Sequence, residues 1–255
     1  MPRSGKLSRS SRHSHTKNYL DPSPPVSAEG ALIIFAKAPI PGQVKTRLCP
    51  PLNPDEAASL HGSMVMDIAE QTRGIRRLDR FLACTPSSDH AFFQTLAARY
   101  RLTLCEQVGD DLGQRMNHAI NKSLKKGYQY ALVIGTDIPA LSPETYKKAA
   151  FLLKTQDIVL GPTHDGGYYL IGLKHPTPGI FVDIAWSTEN VLALTQEKAQ
   201  ALGRTVGLLD FERDVDTFED IEAFVTTSSY SGKRKLSTRT ANVFQTLFQR
   251  HGTKS

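Results

Sequence analysis

Short apolar runs alternate with amphipathic segments from residue 31 to about residue 225 of the 255-residue chain. Runs such as residues 31–35 and 130–135 are continuous and apolar, which is typical of strands buried on both faces of a parallel sheet. The segments between them repeat apolar residues near helical spacing. This alternation predicts an α/β fold, a single Rossmann-like domain whose mostly parallel central sheet carries helices on both faces.

Local signals divide this domain into elements. Asn53, Pro54 and Glu56 form a capping box that starts the first helix, and a second capping box begins at Asp216. Other helices are predicted to start at Ser88, Leu112, Ser142 and Ser187. The predicted strands cover residues 31–35, 81–84, 102–105, 130–135, 158–160, 168–172 and 206–209.

Charge separates the body of the chain from its ends. Residues 1–20 carry five Lys or Arg and residues 229–255 carry six, with no acid in either stretch. The remaining 20 cations face 25 acids, so the body is acidic although the whole chain has a net charge of +6. We therefore predict a disordered basic N-terminal tail over 1–29, a folded domain over 30–227 and a basic C-terminal tail over 228–255. An acidic body argues against a nucleic-acid partner.

Cysteine usage and hydropathy bear on the compartment. Cys49, Cys84 and Cys105 show no C-x-x-C spacing, which favours a reducing environment and argues against a disulfide framework. The N-terminal tail lacks the apolar core of a secretory signal, and no apolar run is long enough to span a membrane. These features predict a cytoplasmic protein, and they leave its oligomeric state open.

A basic loop follows the first predicted strand. Lys37 ends the strand, Pro41 and Gly42 stiffen the turn, and Lys45 and Arg47 lie two residues apart, so they share a side if the loop is extended. Loops at the carboxyl ends of strands bind ligand phosphates in open α/β folds. The loop therefore predicts a site for a di- or triphosphate, with a solvated basic loop as the alternative.

We reject the interpretation of this loop as a phosphate-binding P-loop. Gly42-x-x-Lys45-Thr46 reads as a degenerate form of G-x-x-x-x-G-K-[ST], but the first glycine is absent and a proline-rich turn replaces it.

A carboxylate follows the most apolar predicted strand. Thr136 and Asp137 come directly after residues 130–135, and Pro139 then stops strand pairing. Mg²⁺ or Mn²⁺ can be held by one or two protein carboxylates together with phosphate oxygens, so Asp137 is a candidate metal ligand. The alternative is an aspartate that caps the turn before Pro139.

A glycine-rich turn joins two later strands. Gly166 and Gly167 would let the backbone approach a ligand closely, and Asp165 could be a catalytic base, an acceptor contact or a second metal ligand. Tyr168 follows as a candidate pocket residue. The alternative, which the spacing alone favours, is a plain hairpin turn with His164 at the surface.

Three other candidates lie near predicted helix starts. Arg115 comes one turn into a helix and could approach a nucleotide. Trp186 could line a pocket or simply pack. In the Arg213–Thr217 stretch, Asp216 is most simply a helix cap, which leaves Asp214 as the freer candidate ligand.

These stretches together resemble one family, the nucleotide-diphospho-sugar transferase-like proteins, also called radical-SAM/selenodomain-associated transferases. The resemblance covers about residues 31–225. Its motifs are F-A-K-A-P-x-P-G-x-V-K-T-R-L at 35–48, G-D-x-L-G-x-R-M at 109–116, G-T-D-x-P at 135–139, G-P-x-x-D-G-G-Y-Y-L-I-G-L at 161–173, W-S-T-E-x-V-L at 186–192 and R-D-V-D-T-x-E-D at 213–220.

The resemblance implies a glycosyltransferase-A fold, nucleotide phosphates on Lys37, Lys45 and Arg47, and a divalent metal on Asp137. Two departures are visible: the family's G-D-L-G reads Gly109-Asp110-Asp111-Leu112-Gly113 here, and Ala140 stands where an acid is common.

The interpretation that follows is a transferase that takes a sugar from a nucleotide-diphosphate sugar, with Mg²⁺ or Mn²⁺ as cofactor and a small-molecule acceptor. One alternative is a guanylyltransferase-like nucleotidyltransferase, because both reactions need a cation-neutralised phosphate leaving group. The other is a non-catalytic nucleotide-sugar-binding protein.

Overall fold

The computed structural model describes residues 27–139, 141–226 and 237–252. In this part of the chain seven strands form one sheet, in the order β3-β2-β1-β4-β6-β5-β7. Neighbouring strands are parallel except around β6, which runs antiparallel to β4 and β5. The strands are β1 (Gly30–Lys37), β2 (Leu78–Thr85), β3 (Thr103–Glu106), β4 (Tyr130–Ile134), β5 (Ile158–Pro162), β6 (Tyr168–Leu173) and β7 (Val206–Leu208).

Helices cover both faces of this sheet. One face packs against α1, α2 and α4, and the other against α3 and α5, which confirms the predicted fold class. Among the residues that the structure describes, no helix has the length and apolar character needed to cross a bilayer. The helices are α1 (Pro54–Gln71), α2 (Ala91–Tyr100), α3 (Leu112–Lys125), α4 (Pro143–Leu152), α5 (Val191–Ala201), α6 (Phe218–Thr226) and α7 (Thr238–His251).

The continuous apolar run of β1 is explained by its place between β2 and β4. Successive side chains of a strand point to opposite faces. Leu32 and Ile34 therefore enter the core beneath α1, α2 and α4, whereas Ala31 and Ile33 enter the core beneath α3 and α5. Because both faces are buried, a polar residue inside this strand would have no place to contact water.

The C-terminal helix belongs to the folded unit, in contrast to the predicted basic tail over 228–255. Phe244 and Leu247 of α7 are buried against α1 and α6. The carboxylate of Asp67 in α1 is completely buried, and it accepts hydrogen bonds from Ser237, Arg239 and Thr240 at the start of α7. The prediction of a tail rested on the positive charge of this segment, but the basic residues of α7 lie outside the apolar face by which the helix packs. The predicted N-terminal tail lies outside the described residues up to position 26.

Helix α1 begins as predicted, with the reciprocal capping box of Asn53 and Glu56 and Pro54 at the first helical position. The Glu56 carboxylate also forms an ion pair with Arg250 of α7 at 3.2 Å, and its other oxygen lies 3.0 Å from Nε2 of His251. The backbone N–H of Asn53, helped by these two side chains, lowers the pKa of Glu56 below its ordinary value although burial opposes the shift. Glu56 therefore couples the start of α1 to the end of α7.

We expect Glu56→Gln to lower the free energy of unfolding by about 1 kcal/mol at pH 7, the usual scale of a partly exposed ion pair, because the glutamine oxygen can still accept from the N–H of Asn53. A carboxyl whose pKa is lower in the folded than in the unfolded protein stabilises the fold above the unfolded pKa, and this contribution is lost as the pH falls through the folded pKa. The difference from wild type should therefore shrink below about pH 4.

Urea denaturation at pH 7 and at about pH 3 measures this difference. Glu144→Gln is the control, because Glu144 is exposed and pairs with Lys147 one turn along α4. A Glu56→Gln defect that stays constant over this pH range would contradict the assignment.

Candidate functional site

A polar cleft lies at the carboxyl ends of β1 and β4, where the chain order of the strands reverses. The connections from β1 lead outward to β2 and β3, whereas β4 lies on its other side. Crevices at such switch points are the usual ligand sites of open α/β sheets. The cleft has a volume of about 480 Å³, and its walls include the predicted site residues Lys37, Lys45, Arg47, Thr136, Asp137 and Tyr168.

Cations and carboxylates meet inside this cleft. The Nζ atom of Lys45 lies 2.5 Å from Oδ1 of Asp137 and 3.1 Å from Oδ1 of Asp216, and it donates a hydrogen bond to the carbonyl of Val215 at 2.6 Å. The guanidinium of Arg47 contacts the other oxygen of Asp216 at 3.1 Å. The basic loop and two separate acidic segments are therefore joined at one point.

Burial and pairing act against each other on these groups. Burial alone would lower the pKa of Lys45, but the carboxylates of Asp137 and Asp216 outweigh it and raise the pKa above its ordinary value. Burial alone would raise the pKa of Asp137, but the Lys45 ammonium outweighs it and holds the pKa below its usual range. Both groups are therefore charged at neutral pH.

The local backbone aims Lys45 at the carboxylates. Lys45 precedes a 3-10 helix over Thr46–Leu48 and has a φ of 49°, in the left-handed region that L-residues occupy at a cost of about 1 kcal/mol. Leu48 is fully buried and anchors the loop. The N–H of Val215 donates to the carbonyl of Asp137 at 3.0 Å, which ties the two acidic segments together.

Asp216, and not Asp214, faces the cleft. The prediction that Asp216 caps α6 differs from the structure, in which the carboxylate of Asp220 accepts from the backbone N–H groups of Asp216 and Thr217. The Asp216 side chain is thereby left for Lys45 and Arg47. A capping-box pattern has no means of telling which of two acids closes the cap.

The half-buried Asp214 lies outside the cleft walls, and burial together with the charges of Asp165 and Asp216 raises its pKa to about 6.

The glycine-rich turn is a hairpin between β5 and β6. Oδ1 of Asp165 accepts hydrogen bonds from the hydroxyl of Thr163 and from the N–H of Gly167 at 3.1 Å. The carbonyl of Gly166 accepts from the N–H of Leu192 at 2.9 Å, which fastens the turn to α5. The alternative of a plain hairpin turn therefore accounts for the glycines. Tyr168 follows the turn and lines the cleft.

Seven other predicted residues lie outside the cleft walls, and three of them, Asp165, Gly166 and Gly167, belong to the hairpin turn just described. Pro41 and Gly42 form the exposed turn of the basic loop. Arg115 donates from Nε to the carbonyl of Gly109 at 2.9 Å and so braces the loop before α3. Trp186 packs against the start of α3. These residues shape the segments around the cleft.

Of the two departures from the family pattern, the structure describes the one before α3. The carboxylate of Asp111 caps α3 by accepting from the N–H of Gln114 at 2.7 Å. Position 140 lies outside the described residues.

Two cleft residues were missed by the sequence analysis. His61 of α1 is buried, and its Nε2 lies 3.0 Å from the carbonyl of Lys37; burial is the main reason that its pKa lies below the ordinary value. Gln107 donates from its amide nitrogen to the carbonyls of Ala36 and Ala83, so it fastens the ends of β1 and β2. The position of Gln107 directly after β3 was a usable signal, whereas His61 sits within an ordinary helical apolar pattern.

Comparison with known proteins agrees with this architecture. A family model described as "Uncharacterized protein conserved in bacteria (DUF2064)" matches residues 68–188. The chain is similar to a solved structure titled "putative nucleotide-diphospho-sugar transferase" from Desulfovibrio desulfuricans G20, with 32% identity, a TM-score of 0.79 and coverage of 87% of this chain and 96% of that chain. The search of curated proteins found no match.

More distant structures share the fold. The 4-diphosphocytidyl-2C-methyl-D-erythritol synthase of Anaerococcus prevotii DSM 20548 is 12% identical, with a TM-score of 0.52 and coverage of 76% of this chain and 92% of that chain. A cytidylyltransferase from Leptospira borgpetersenii serovar Hardjo-bovis is 13% identical, with a TM-score of 0.51 and coverage of 89% and 98%. At these identities the likeness concerns the fold alone.

The sheet order and the position of the cleft define the class as the nucleotide-sugar transferase fold. Within this class, the 32% identity over nearly the whole of both chains shows the family. The chain belongs to the nucleotide-diphospho-sugar transferase-like family, as its sequence motifs predict.

Proposed function

We propose that the protein is a metal-dependent glycosyltransferase that moves a sugar from a nucleotide-diphosphate sugar to a small-molecule acceptor. One observation carries the proposal: Lys45 and Arg47 of the basic loop meet the carboxylates of Asp137 and Asp216 inside one cleft. A diphosphate needs such cations, and a divalent metal needs such carboxylates. The name of the Desulfovibrio relative supports a nucleotide-diphosphate sugar as donor.

The donor set fits Mg²⁺ or Mn²⁺. Asp137 and Asp216 each bring a carboxylate oxygen within 3.1 Å of the same nitrogen, which shows that both reach one cation. Within the described ranges no group of three or more His, Cys, Asp or Glu side chains is arranged to hold a metal. Two carboxylates completed by substrate phosphates are a usual arrangement for Mg²⁺. Asp137 and Asp216 would therefore hold the metal.

When bound, the metal would neutralise the charge that develops on the leaving nucleoside diphosphate. Lys37 and Arg47 add positive charge to the same cleft, and preorganised charges of this kind stabilise a developing anion without reorganising during the reaction. Thr136 is buried in the cleft wall beside Asp137. On the acceptor side we assign Asp165, which is exposed at the tip of the β5–β6 hairpin three residues before Tyr168.

A product assay tests this function. We expect the full chain with Mn²⁺ to release a nucleoside diphosphate from one member of a panel of nucleotide-diphosphate sugars, and EDTA to abolish the release. Chromatographic separation of nucleotides provides the readout. Pyrophosphate release from a nucleoside triphosphate would identify a nucleotidyltransferase instead. Thermal stabilisation by a nucleotide sugar without turnover of any acceptor would identify a binding protein.

A further inference from the structure

Lys45 lies where the acidic groups of the cleft converge. Its ammonium contacts one oxygen each of Asp137, Asp216 and the Val215 backbone at 2.5, 3.1 and 2.6 Å. The Lys45 side chain is only 5% exposed, whereas that of Asp137 is 50% exposed toward the cleft. A buried cation therefore has three oxygen neighbours, the type of neighbour that a hard divalent metal prefers.

A metal that used these carboxylates would need the oxygen atoms that Lys45 contacts. Two cations that close to each other repel strongly where one of them, like Lys45, is shielded from water. We infer that Lys45 is a built-in counter-cation that competes with the divalent metal for Asp137 and Asp216, so that metal binding displaces the Lys45 ammonium toward the donor phosphates. This inference rests on the proposed function, because it takes these two aspartates as the metal ligands.

The surroundings of Lys45 allow this displacement without refolding. The buried Leu48 and the 3-10 helix that follows Lys45 fix the backbone of the loop. The ammonium sits on a flexible four-carbon stem, so a rotamer change moves it while the main chain stays in place. Arg47 stays paired with Asp216 through the other carboxylate oxygen.

The competition has a thermodynamic consequence. Without a nucleotide, the metal has to displace Lys45 from its carboxylates, so the protein binds metal weakly. Donor phosphates give the displaced ammonium a new partner, so metal and nucleotide each strengthen the binding of the other. Lys45 thereby makes the metal site respond to the presence of the donor.

The direct test is Mn²⁺ binding to the nucleotide-free full chain, followed by the electron paramagnetic resonance signal of free Mn²⁺. We expect Lys45→Met to bind Mn²⁺ at least about tenfold more tightly than wild type, because a competing charge is gone. Lys45→Arg keeps the charge and should stay near wild type. Lys148→Met is the matched control, since Lys148 pairs with Asp210 away from the cleft, and it should change the affinity by less than about threefold.

A second measurement uses the wild-type protein and does not depend on the folding of any variant. Acetylation of individual lysines, followed by mass spectrometry, should show that saturating Mg²⁺ raises the reactivity of the buried Lys45 and leaves that of Lys37 unchanged. An unchanged Lys45 reactivity, or a Lys45→Met protein that binds Mn²⁺ no more tightly than wild type, would overturn the inference.

The outcomes also separate this inference from the proposed function. If Lys45→Met gains no affinity while Mn²⁺-dependent sugar transfer still requires Asp137, the competition is refuted and the function stands. If Lys45→Met gains affinity, and adding Asp137→Asn removes the gain, while no nucleotide sugar is turned over, the competition stands and the function is refuted.

Discussion

Asp137→Asn is expected to lower the rate of sugar transfer by about 10²-fold or more, the usual scale for removing a principal electrostatic element of an active site. The carboxylate of Asp137 is half exposed in the cleft and pairs with Lys45 at 2.5 Å. The amide that replaces it keeps the shape but loses the negative charge that would hold the metal. In this variant Lys45 still has the carboxylate of Asp216 as a charged partner.

The effect should appear in turnover and not in folding. Initial rates of nucleoside diphosphate release, together with a thermal melt of each variant, separate the two. Asp210→Asn is the matched control, because Asp210 is exposed and pairs with Lys148 away from the cleft. Turnover near the wild-type level in Asp137→Asn would refute the assignment of this residue.

Gly166→Ala is expected to destabilise the fold by about 3 kcal/mol or more, the range of severe overpacking combined with backbone strain. A Cβ atom at this position would lie 1.9 Å from the carbonyl oxygen of Glu189, and backbone atoms have little freedom to retreat. The φ of Gly166 is also +86°, a conformation that L-residues rarely adopt. Both effects act on the turn that joins β5 to β6.

Gly42→Ala separates the two effects. Gly42 has a similar φ of +78°, but an added Cβ meets nothing within 4 Å. We expect this variant to lose only about 1 kcal/mol, the cost of the left-handed conformation. Urea denaturation of both variants gives the comparison. Equal losses would show that the contact with Glu189 is relieved by movement and carries little of the constraint.

Local sequence signals predicted the elements of this fold well, and the reasons are physical. The capping box at Asn53 satisfies the orphan N–H groups of one helix end, so it needs no tertiary information. The buried strands β1 and β4 are apolar on both faces because helices cover both. The packing of α7 was missed, because the partners of Phe244 and Asp67 are far away in sequence.

The sequence predicted the site only for residues at strand ends, because the order of the strands in the sheet determines which of these residues meet. Lys37 and Asp137 lie near the ends of adjacent parallel strands, so the carboxyl-end rule was enough to bring them to one cleft. The pairing of Asp216 with Lys45 depends on which of two nearby acids closes the cap of α6. That choice is made by the Asp220 carboxylate and the local backbone, which no spacing rule describes.

Because β6 runs opposite to its neighbours, two walls of the cleft are formed by opposite ends of strands. The parallel strands β1 and β4 bring their carboxyl ends to it, whereas β6 brings Tyr168 at its amino end, directly after the hairpin turn. Insertions in that turn would therefore remodel one wall and leave the basic loop and Asp137 unchanged. Such a division marks the hairpin as the segment to exchange when one wall of the cleft is to be changed and the other kept.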